Sequence, residues 1–273
     1  MAPHSGMKIT TWNVNGIRAR LTHVVDFLRQ HAPDVLCLQE TKVTDDQFPR
    51  AALEDEGYEV SWFGQKGYNG MAILSSAAQT EPQRGLPDDP PEAERRLLGV
   101  TVAGYRVLDL YVPNGSSLKS EKYAYKLEWL ACLKRYLAEQ EQQGEPLCMV
   151  GDFNIGPEAR DLHDPERLSG GIMASEAERQ ALNNALAGRL TDVFRVFEPS
   201  SGHWSWWDYR SGAWDRDQGW RIDHIYLSED LLDCATGCII DNSPRGNIQP
   251  SDHAPVVVNL AWDESEESSD NWD

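Results

Sequence analysis

Short apolar runs, each bounded by turn-forming residues, recur along the whole chain. They are rich in Val, Ile and Leu, a composition typical of strands inside a buried sheet. Eight such runs are predicted to be strands: residues 8–14, 34–39, 70–75, 97–102, 106–112, 146–151, 221–227 and 254–261.

Three other stretches, residues 21–30, 120–141 and 175–186, carry apolar residues at helical spacing. This spacing indicates amphipathic helices that cover a sheet. Strands alternate with helices in the first half of the chain, and the second half is mostly strand and loop. The pattern predicts an α/β fold in which two mixed sheets pack face to face and helices flank them, a four-layer sandwich.

The chain is long enough for one sizeable core. Of its 273 residues 40% are hydrophobic, and we predict a single domain over residues 7–262, after an N-terminal extension of residues 1–6. Residues 263–273 hold six acids and no Lys or Arg. This acidic tail is predicted to be disordered, because it is poor in core-forming residues.

Neither a membrane span nor a secretory signal is visible in the sequence. No run approaches the roughly 20 apolar residues that a span needs, and the first residues, MAPHSGMKIT, lack basic and apolar signal regions. We therefore expect a cytoplasmic protein without membrane contact. The five cysteines form no CxxC motif, so buried packing is favoured over disulfides or a zinc site.

The charge balance is unusual for a protein that binds nucleic acid. With 25 basic and 44 acidic residues the formal net charge is −19, so any contact with DNA must rest on a local basic surface and on metal ions. The best local candidate is the lysine-rich segment 119–135, which includes Lys122 and Lys126. A solvated helix face, in which these lysines pair with Glu121 and Glu128, is the alternative.

Polar side chains recur at the ends of the predicted strands. In the first half of the chain they stand at or just after the end of a strand, and in the second half they stand before or at its beginning. If the later strands run antiparallel to the earlier ones, all these groups gather along one edge of the fold. They are Asn13, Glu40, Tyr111, Asn114, Asp152, Asn154, Asp223, Asp252 and His253.

Oxygen ligands with one histidine suit Mg²⁺, or Mn²⁺ as a substitute, better than zinc. The set indicates metal-assisted hydrolysis of a phosphodiester, in which a cation bridges the negative ester and the carboxylates. Glu40 beside the cation, Asp152 near the attacking water and His253 near the phosphate meet the needs of this reaction. Taken singly, each has another explanation: Asn13 and Asp152 can be turn residues, and Glu40 can simply be solvated.

Six motifs occur in a characteristic order: WNVNGIRAR, LQETK, YVPNG, VGDFNI, WRIDHIYLS and PSDHAPV. From about residue 8 to residue 262 the chain thus resembles the exonuclease III and AP-endonuclease family of the endonuclease/exonuclease/phosphatase superfamily. The resemblance implies a Mg²⁺-dependent DNA-repair phosphodiesterase that incises 5′ to abasic sites, leaving a 3′-OH, with 3′-to-5′ exonuclease and 3′-end-cleaning activity. It implies a monomer, associated with the nucleoid, that acts on double-stranded DNA with abasic sites or blocked 3′ ends.

The resemblance also implies which residues surround the metal. Glu40 is expected to be the principal ligand, with Asn13 beside it as a ligand or as hydrogen-bonding support. Asp252 is expected to lie close to the metal. Asn15 stands where some members of the family have an aspartate.

Roles in the reaction follow from the same resemblance. Asp152 is expected to activate the attacking water or to protonate the leaving group, and relatives leave that choice open. Asp223 is expected to orient His253 and keep it protonated, so that an imidazolium faces the phosphate. The residues expected to bind the phosphate, the water or the leaving side are Asn154, Tyr111 and Asn114.

An aromatic segment, residues 203–222, supports DNA as the substrate. It holds five of the ten tryptophans, interleaved with Arg210, Arg216 and Arg221. Aromatic rings can wall a pocket for an extruded sugar or stack on bases, while arginines meet phosphates.

The resemblance places Trp206, Trp220 and Ile222 in the pocket for the abasic sugar. The alternative for the tryptophans of this segment is core packing, because most tryptophans are largely buried. We consider that alternative at least as strong for Trp204, Trp207 and Trp214.

Two other functions are compatible with parts of the pattern. A phosphatase or nuclease of the same superfamily could act on another phosphate ester, such as an inositol phosphate or a phospholipid, but the tryptophan-rich segment argues against it. A catalytically silent DNA-binding or scaffold protein would have lost several of the polar residues, and every expected acid and the histidine are present.

Overall fold

Twelve strands form two sheets in the computed structural model, which describes residues 6–262. Eight of these strands coincide with the predicted apolar runs, within one or two residues at most ends. The strands are β1 (Gly6–Asn13), β2 (Val35–Gln39), β3 (Glu59–Phe63), β4 (Met71–Ser75), β5 (Gln79–Arg84), β6 (Leu97–Val102), β7 (Tyr105–Tyr111), β8 (Leu147–Asp152), β9 (Thr191–Asp192), β10 (Asp223–Leu227), β11 (Ala235–Ile240) and β12 (Val256–Ala261).

Each sheet has six strands and contains both parallel and antiparallel pairs. The first sheet has the order β11-β12-β1-β2-β4-β3, and the second has the order β5-β6-β7-β8-β10-β9. β1 pairs with β2 and β7 pairs with β8 in parallel, and the other described pairs are antiparallel. The prediction of two mixed sheets is confirmed.

Helices cover the outer faces of both sheets. α1 packs on the first sheet, while α3 and α5 pack on the second, so the predicted four-layer sandwich is confirmed. The helices are α1 (Ile17–His31), α2 (Arg50–Glu54), α3 (Glu121–Gln143), α4 (Pro165–Leu168), α5 (Glu176–Leu186), α6 (Val193–Phe197) and α7 (Glu229–Asp233).

Central strands are apolar on both faces because both faces are covered. In β8, Cys148 and Val150 point into the core between the two sheets. Their neighbours Leu147 and Met149 point to the opposite face and pack with α3 and α5. This alternation explains why the strand appears in the sequence as a continuous apolar run.

The two long helices of the second sheet begin at serine caps. The Ser120 side chain accepts a hydrogen bond from the Tyr123 backbone N–H at the start of α3. Ser175 and Glu178 form a reciprocal capping box at the start of α5. These caps explain why the predicted helices start within one residue of the observed ones.

The strands that were not predicted lie mainly at sheet edges. β5 is polar and contains Pro82, β11 is interrupted at Gly237, and β9 has only two residues. Edge strands pair on one side only and need no continuous apolar run.

The predicted extension and acidic tail fall almost entirely on residues 1–5 and 263–273, which lie outside the described residues; Gly6 already pairs with Ala261 in β1. Cys37, Cys148 and Cys238 are buried free thiols, in line with the buried packing that the sequence favoured, whereas Cys132 and Cys234 are free thiols that are only partly buried. Within residues 6–262 no helix has the length and apolar character to cross a membrane.

Candidate active site

The predicted polar residues meet at one edge of the sandwich because the later strands run antiparallel to the earlier ones. β10 pairs antiparallel with β8, which sets Asp223 opposite Asp152, and Tyr111 lies opposite Asp152 on the other side. β12 is antiparallel to β1, so His253, three residues before β12 begins at Val256, comes to the edge where β1 ends at Asn13. The orientation that the sequence analysis assumed is confirmed.

Glu40, Asp152 and His253 form a compact cluster. Each offers one potential metal-ligating atom, and these atoms lie within 4.8 Å of one another. The Asn13 side-chain nitrogen donates hydrogen bonds to Glu40 Oε1 and Asp152 Oδ2, both at 2.9 Å. Asn13 therefore holds the two carboxylates together, in the supporting role that was one of its two predicted roles.

Two site residues are also turn residues. Asn13 Oδ1 accepts from the backbone N–H of Asn15, and Asp152 Oδ1 accepts from the backbone N–H of Asn154, both at 2.9 Å. Asn13 and Asp152 are therefore turn residues and members of the site at the same time. The backbone is left-handed at Asn15 in the first turn and at Asn154 in the second, with φ of 46° and 49°. Such strained conformations cost energy and cluster at functional sites.

The surroundings of Glu40 favour its ionised form. Burial opposes its ionisation, but the Lys42 ammonium, 2.9 Å from Oε2, and the Asn13 amide outweigh burial and lower the pKa of Glu40. Lys42 also donates to Asn15 Oδ1. Lys42 was not among the predicted site residues, although it is the last residue of the LQETK motif.

His253 is held as a cation by two buried acids. Its Nδ1 lies 2.8 Å from Asp223 Oδ2, and its Nε2 lies 3.7 Å from Asp152 Oδ2. Burial disfavours the charged imidazole, yet Asp223 and Asp152 prevail and raise the pKa of His253 to about 10. The Nε2–H consequently faces the site as a donor.

Asp152 is the most perturbed acid of the cluster. Burial raises its pKa to about 7, with added repulsion from Asp223 and Glu40 and an opposing attraction to His253. A carboxyl group with a pKa near neutrality can both accept and release a proton at physiological pH.

Tyr111, Asn114 and Asn154 line the second-sheet side of the cluster. Burial and the carboxylates of Glu40 and Asp152 raise the pKa of Tyr111 well above its usual range, so the phenol remains a hydrogen-bond donor. Asn114 Nδ2 donates to Asn154 Oδ1 at 3.0 Å, and Asn154 Nδ2 donates to the Val112 carbonyl at 3.0 Å.

Asp252 links the cluster to the aromatic segment. Its Oδ1 accepts from Asn15 Nδ2 and its Oδ2 accepts from the Trp206 indole N–H, both at 2.9 Å. Asp252 is outside the group of three ligating residues. In this structure Asp252 orients the Trp206 ring through that hydrogen bond. The expectation that Asp252 lies close to the metal stays a prediction.

A pocket of about 530 Å³ is lined by Trp206, Trp220 and Met173, with His163, Arg167, Arg210 and Arg216 among its other walls. Trp206 and Trp220 are joined by reciprocal backbone hydrogen bonds. Ile222 is almost fully buried and packs beneath Trp220 and Met173. Met173, whose sulfur lies 3.5 Å from Asn114 Nδ2, was not anticipated, because a lone methionine outside an apolar run carries no signal.

The other tryptophans of the segment behave differently. Trp204 and Trp207 are buried in a small apolar cluster, as the core-packing alternative expected. Trp214 packs edge-on against Trp207, with ring centroids 4.7 Å apart, but 37% of its surface is exposed.

Two predicted phosphate contacts are wrong. Lys126 is fully buried and lies 2.6 Å from Glu178, so it cannot reach DNA. Arg221 is 1% exposed and bound to Asp161 and Asp192. Of the remaining candidates, Lys122 is exposed, and Arg210 is exposed beside Asp208 at 3.0 Å.

A cationic surface that the sequence analysis missed flanks Glu40 on the first-sheet side. Arg18, Arg20, Lys42 and Lys66 line an open pocket of about 480 Å³ together with Asn15. Arg18 and Arg20 lie in the motif WNVNGIRAR and Lys42 in LQETK, while Lys66 lies in the string FGQKGYNG, between LQETK and YVPNG. Their clustering could not be seen without the fold.

Comparison with known proteins defines the class. Residues 10–253 match the Endonuclease/Exonuclease/phosphatase family. The chain is 34% identical over 261 residues to an exodeoxyribonuclease of Bacillus subtilis strain 168, covering 93% of this chain and 100% of that protein. The chain therefore belongs to the endonuclease/exonuclease/phosphatase family.

Solved structures narrow the assignment. The Neisseria 3′ phosphatase NExo, bound to a product DNA hairpin, is 40% identical with a TM-score of 0.92, covering 94% of this chain and 100% of that one. An AP endonuclease from Archaeoglobus fulgidus is 39% identical with a TM-score of 0.88, covering 92% and 98%. The predicted membership of the exonuclease III and AP-endonuclease group, and with it a DNA-repair nuclease, is confirmed.

Proposed function

We propose that this nuclease incises duplex DNA on the 5′ side of abasic sites, leaving a 3′-OH, and that it also removes nucleotides and phosphate blocks from 3′ ends. The observation that carries the proposal is the position of the Glu40, Asp152 and His253 cluster beside the tryptophan-lined pocket. The cluster suits phosphodiester hydrolysis, and the pocket suits a sugar without its base.

The donor set fits Mg²⁺, with Mn²⁺ as a possible substitute. Glu40 would hold the cation, and the Asn13 side-chain nitrogen, which donates to Glu40 Oε1 and to Asp152 Oδ2 at 2.9 Å each, would keep Asp152 beside it. When bound, the cation supplies positive charge to the phosphate oxygens and relieves the repulsion between these buried acids. Glu40 Oε2 is 2.9 Å from the Lys42 ammonium. A cation bound to this oxygen would therefore share it with Lys42 or displace the ammonium from it.

The protein groups account for the remaining chemistry. The oxygen of water attacks phosphorus, the bond from phosphorus to the 3′ oxygen breaks, and that oxygen leaves as the 3′-OH after gaining a proton. Asp152, with a pKa of about 7, can take the proton from water or give one to the leaving oxygen. The His253 imidazolium, oriented by Asp223, neutralises charge on the phosphate.

DNA would be held on both sides of the cluster. Trp206 and Trp220 would contact the extruded sugar, supported by Ile222, while Arg210 in the pocket wall and the exposed Lys122 of α3 would meet phosphates. On the other side Arg18 and Lys66 would bind backbone phosphates, which local positive charge permits despite the net charge of −19. We propose a monomer of one domain that works on cytoplasmic, nucleoid-associated DNA.

Chelation is expected to stop incision. A duplex with one abasic site should be nicked with Mg²⁺, and EDTA should lower the rate by at least about 10³-fold, since the cation provides much of the charge stabilisation. Gel analysis of a 5′-labelled strand measures the rate, and extension of the product by a polymerase tests for a 3′-OH. Nicking that continues unchanged in EDTA would exclude metal dependence, and a product that cannot be extended would exclude the proposed polarity.

Removing Arg18 and Lys66, the two exposed cations of the cationic surface beside Glu40, is expected to weaken DNA binding without altering the chemical step. Arg18→Ala with Lys66→Ala should lower the slope of log Kd against log salt by roughly two, about one for each lost phosphate contact. Fluorescence anisotropy in EDTA measures Kd, and kcat at saturating DNA should stay within about threefold. Arg29→Ala, which removes an exposed cation from the last turn of α1, is the matched control. An unchanged salt slope in the double variant would show that this surface does not meet DNA.

A further inference from the structure

The buried Lys126 ammonium bonds to three separate segments of the chain. Its Nζ lies 2.7 Å from the Asn154 carbonyl oxygen, 3.3 Å from the Asn114 carbonyl oxygen and 2.6 Å from Glu178 Oε1. A lysine has three N–H donors, so all of them are used. Two of the three acceptors belong to the asparagines that line the active site.

Glu178 extends this connection to the pocket. Its Oε1 also accepts from the Met173 backbone N–H at 3.0 Å, and its Oε2 accepts from the Ser175 backbone N–H at 3.1 Å. Both charged side chains are fully buried. One ion pair therefore ties α3 and α5 to the loops that present Asn114, Asn154 and Met173.

Packing around the pair leaves these loops little freedom. Gly115, next to Asn114, has φ of 89°, and a Cβ placed on it would come within 3.2 Å of the Lys126 stem and 3.0 Å of Ile172. Asn154 has left-handed backbone, and the bond from Lys126 to its carbonyl fixes that conformation from behind. A buried ion pair seldom adds net stability over a well-packed apolar pair, so positioning accounts for its presence better than stability does.

We propose that Lys126 and Glu178 are positioning residues that hold Asn114 and Asn154 in the geometry required for phosphate hydrolysis. The inference rests on the proposed function, because that function gives the two asparagines their role. Neither Lys126 nor Glu178 touches the substrate; they act on the rate through the asparagine side chains.

The test removes both charges together. Lys126→Met with Glu178→Gln leaves no unpaired buried charge, and glutamine retains the capping box of α5. We expect kcat on abasic-site duplex with Mg²⁺ to fall about 10- to 100-fold, because small displacements of reacting groups have effects of this size, while Kd measured in EDTA stays within about threefold. Leu133→Ala, a fully buried change on the same helix that faces the second sheet, should lower the melting temperature and leave kcat within about twofold.

A double-mutant cycle separates positioning from general loosening. Asn154→Ala alone should reduce kcat, and adding it to the paired variant should cost less than about threefold more, because the asparagine is already displaced. If the two losses multiply, or if the folded paired variant cleaves within about threefold of wild type, the inference is wrong. Should the paired variant not fold, Glu178→Gln alone must show the same lowered kcat and non-additivity. Failure of the wild-type enzyme to nick the duplex would instead overturn the proposed function.

Discussion

Asp152→Asn is expected to lower kcat for abasic-site incision by about 10³- to 10⁴-fold. Asparagine is nearly isosteric but cannot exchange a proton, and general acid–base catalysis contributes on this scale. Burial raises the pKa of Asp152 to about 7, so the wild-type carboxyl can exchange a proton near neutral pH. The amide of the variant cannot. Single-turnover cleavage at saturating enzyme measures the chemical step.

A second buried acid provides the control for that experiment. Asp109 lies between the sheets, where burial raises its pKa well above the usual range and where Gln39 donates to it at 2.6 Å. Asp109→Asn also replaces a buried carboxyl with an amide, but Asp109 is not part of the cluster, and the change should leave kcat within about threefold. A similar loss in both variants would mean that Asp152 acts only through the general packing of the fold.

His253→Gln is expected to reduce kcat by about 10²- to 10³-fold, the usual cost of removing one group that stabilises developing negative charge. Glutamine can still donate a hydrogen bond but carries no positive charge. The effect should appear in kcat more than in Kd, since charge on the phosphate oxygens grows in the transition state. A variant that retains more than about a third of the wild-type rate would remove the imidazolium from the mechanism.

Asp223→Asn is expected to shift the pH dependence of kcat, which is a second test of the role of the His253 imidazolium. Without the Asp223 carboxylate the pKa of His253 must fall from its value of about 10, so the imidazolium deprotonates earlier. The alkaline fall in kcat should therefore move to lower pH by at least about one unit in the variant. Rates measured from pH 6 to 10 test this shift, and superimposable profiles would contradict it.

The raised pKa of His253 also predicts the direction of a stability change. In the folded protein this histidine keeps its proton up to about pH 10, whereas the unfolded chain releases it near 6.5. Its contribution to the free energy of unfolding is thus complete below pH 6.5 and is lost as pH rises towards 10. Urea denaturation in EDTA should show His253→Gln losing stability less steeply than wild type over that range.

Motif order and strand patterns predicted most of the site. Asn13, Glu40, Asp152 and Asn154 lie at strand ends where a run of Val, Ile or Leu stops, and that boundary is local information. The assembly of these residues with His253 needed one assumption about strand direction, which apolar runs do not encode. Strand partners are chosen by long-range packing, and only the fold shows them.

The misassigned Lys126 illustrates a different limit. It precedes Leu130 by four residues and Leu133 by seven, so helical spacing puts it on the buried face of α3. That spacing was available in the sequence, but a lysine on an apolar face is rare enough to be taken as solvated. Its acceptors, the Asn114 and Asn154 carbonyls, come from loops whose approach no local pattern predicts.

The reaction centre is divided between the two sheets. Asn13, Glu40 and His253 are supplied from the first, and Tyr111, Asp152 and Asp223 from the second. Neither sheet alone therefore carries all the reacting groups. The site forms only when the two sheets have packed together through the apolar core between them. Residues such as Val150 and Ile9, deep in that core, therefore support the activity although they never meet DNA.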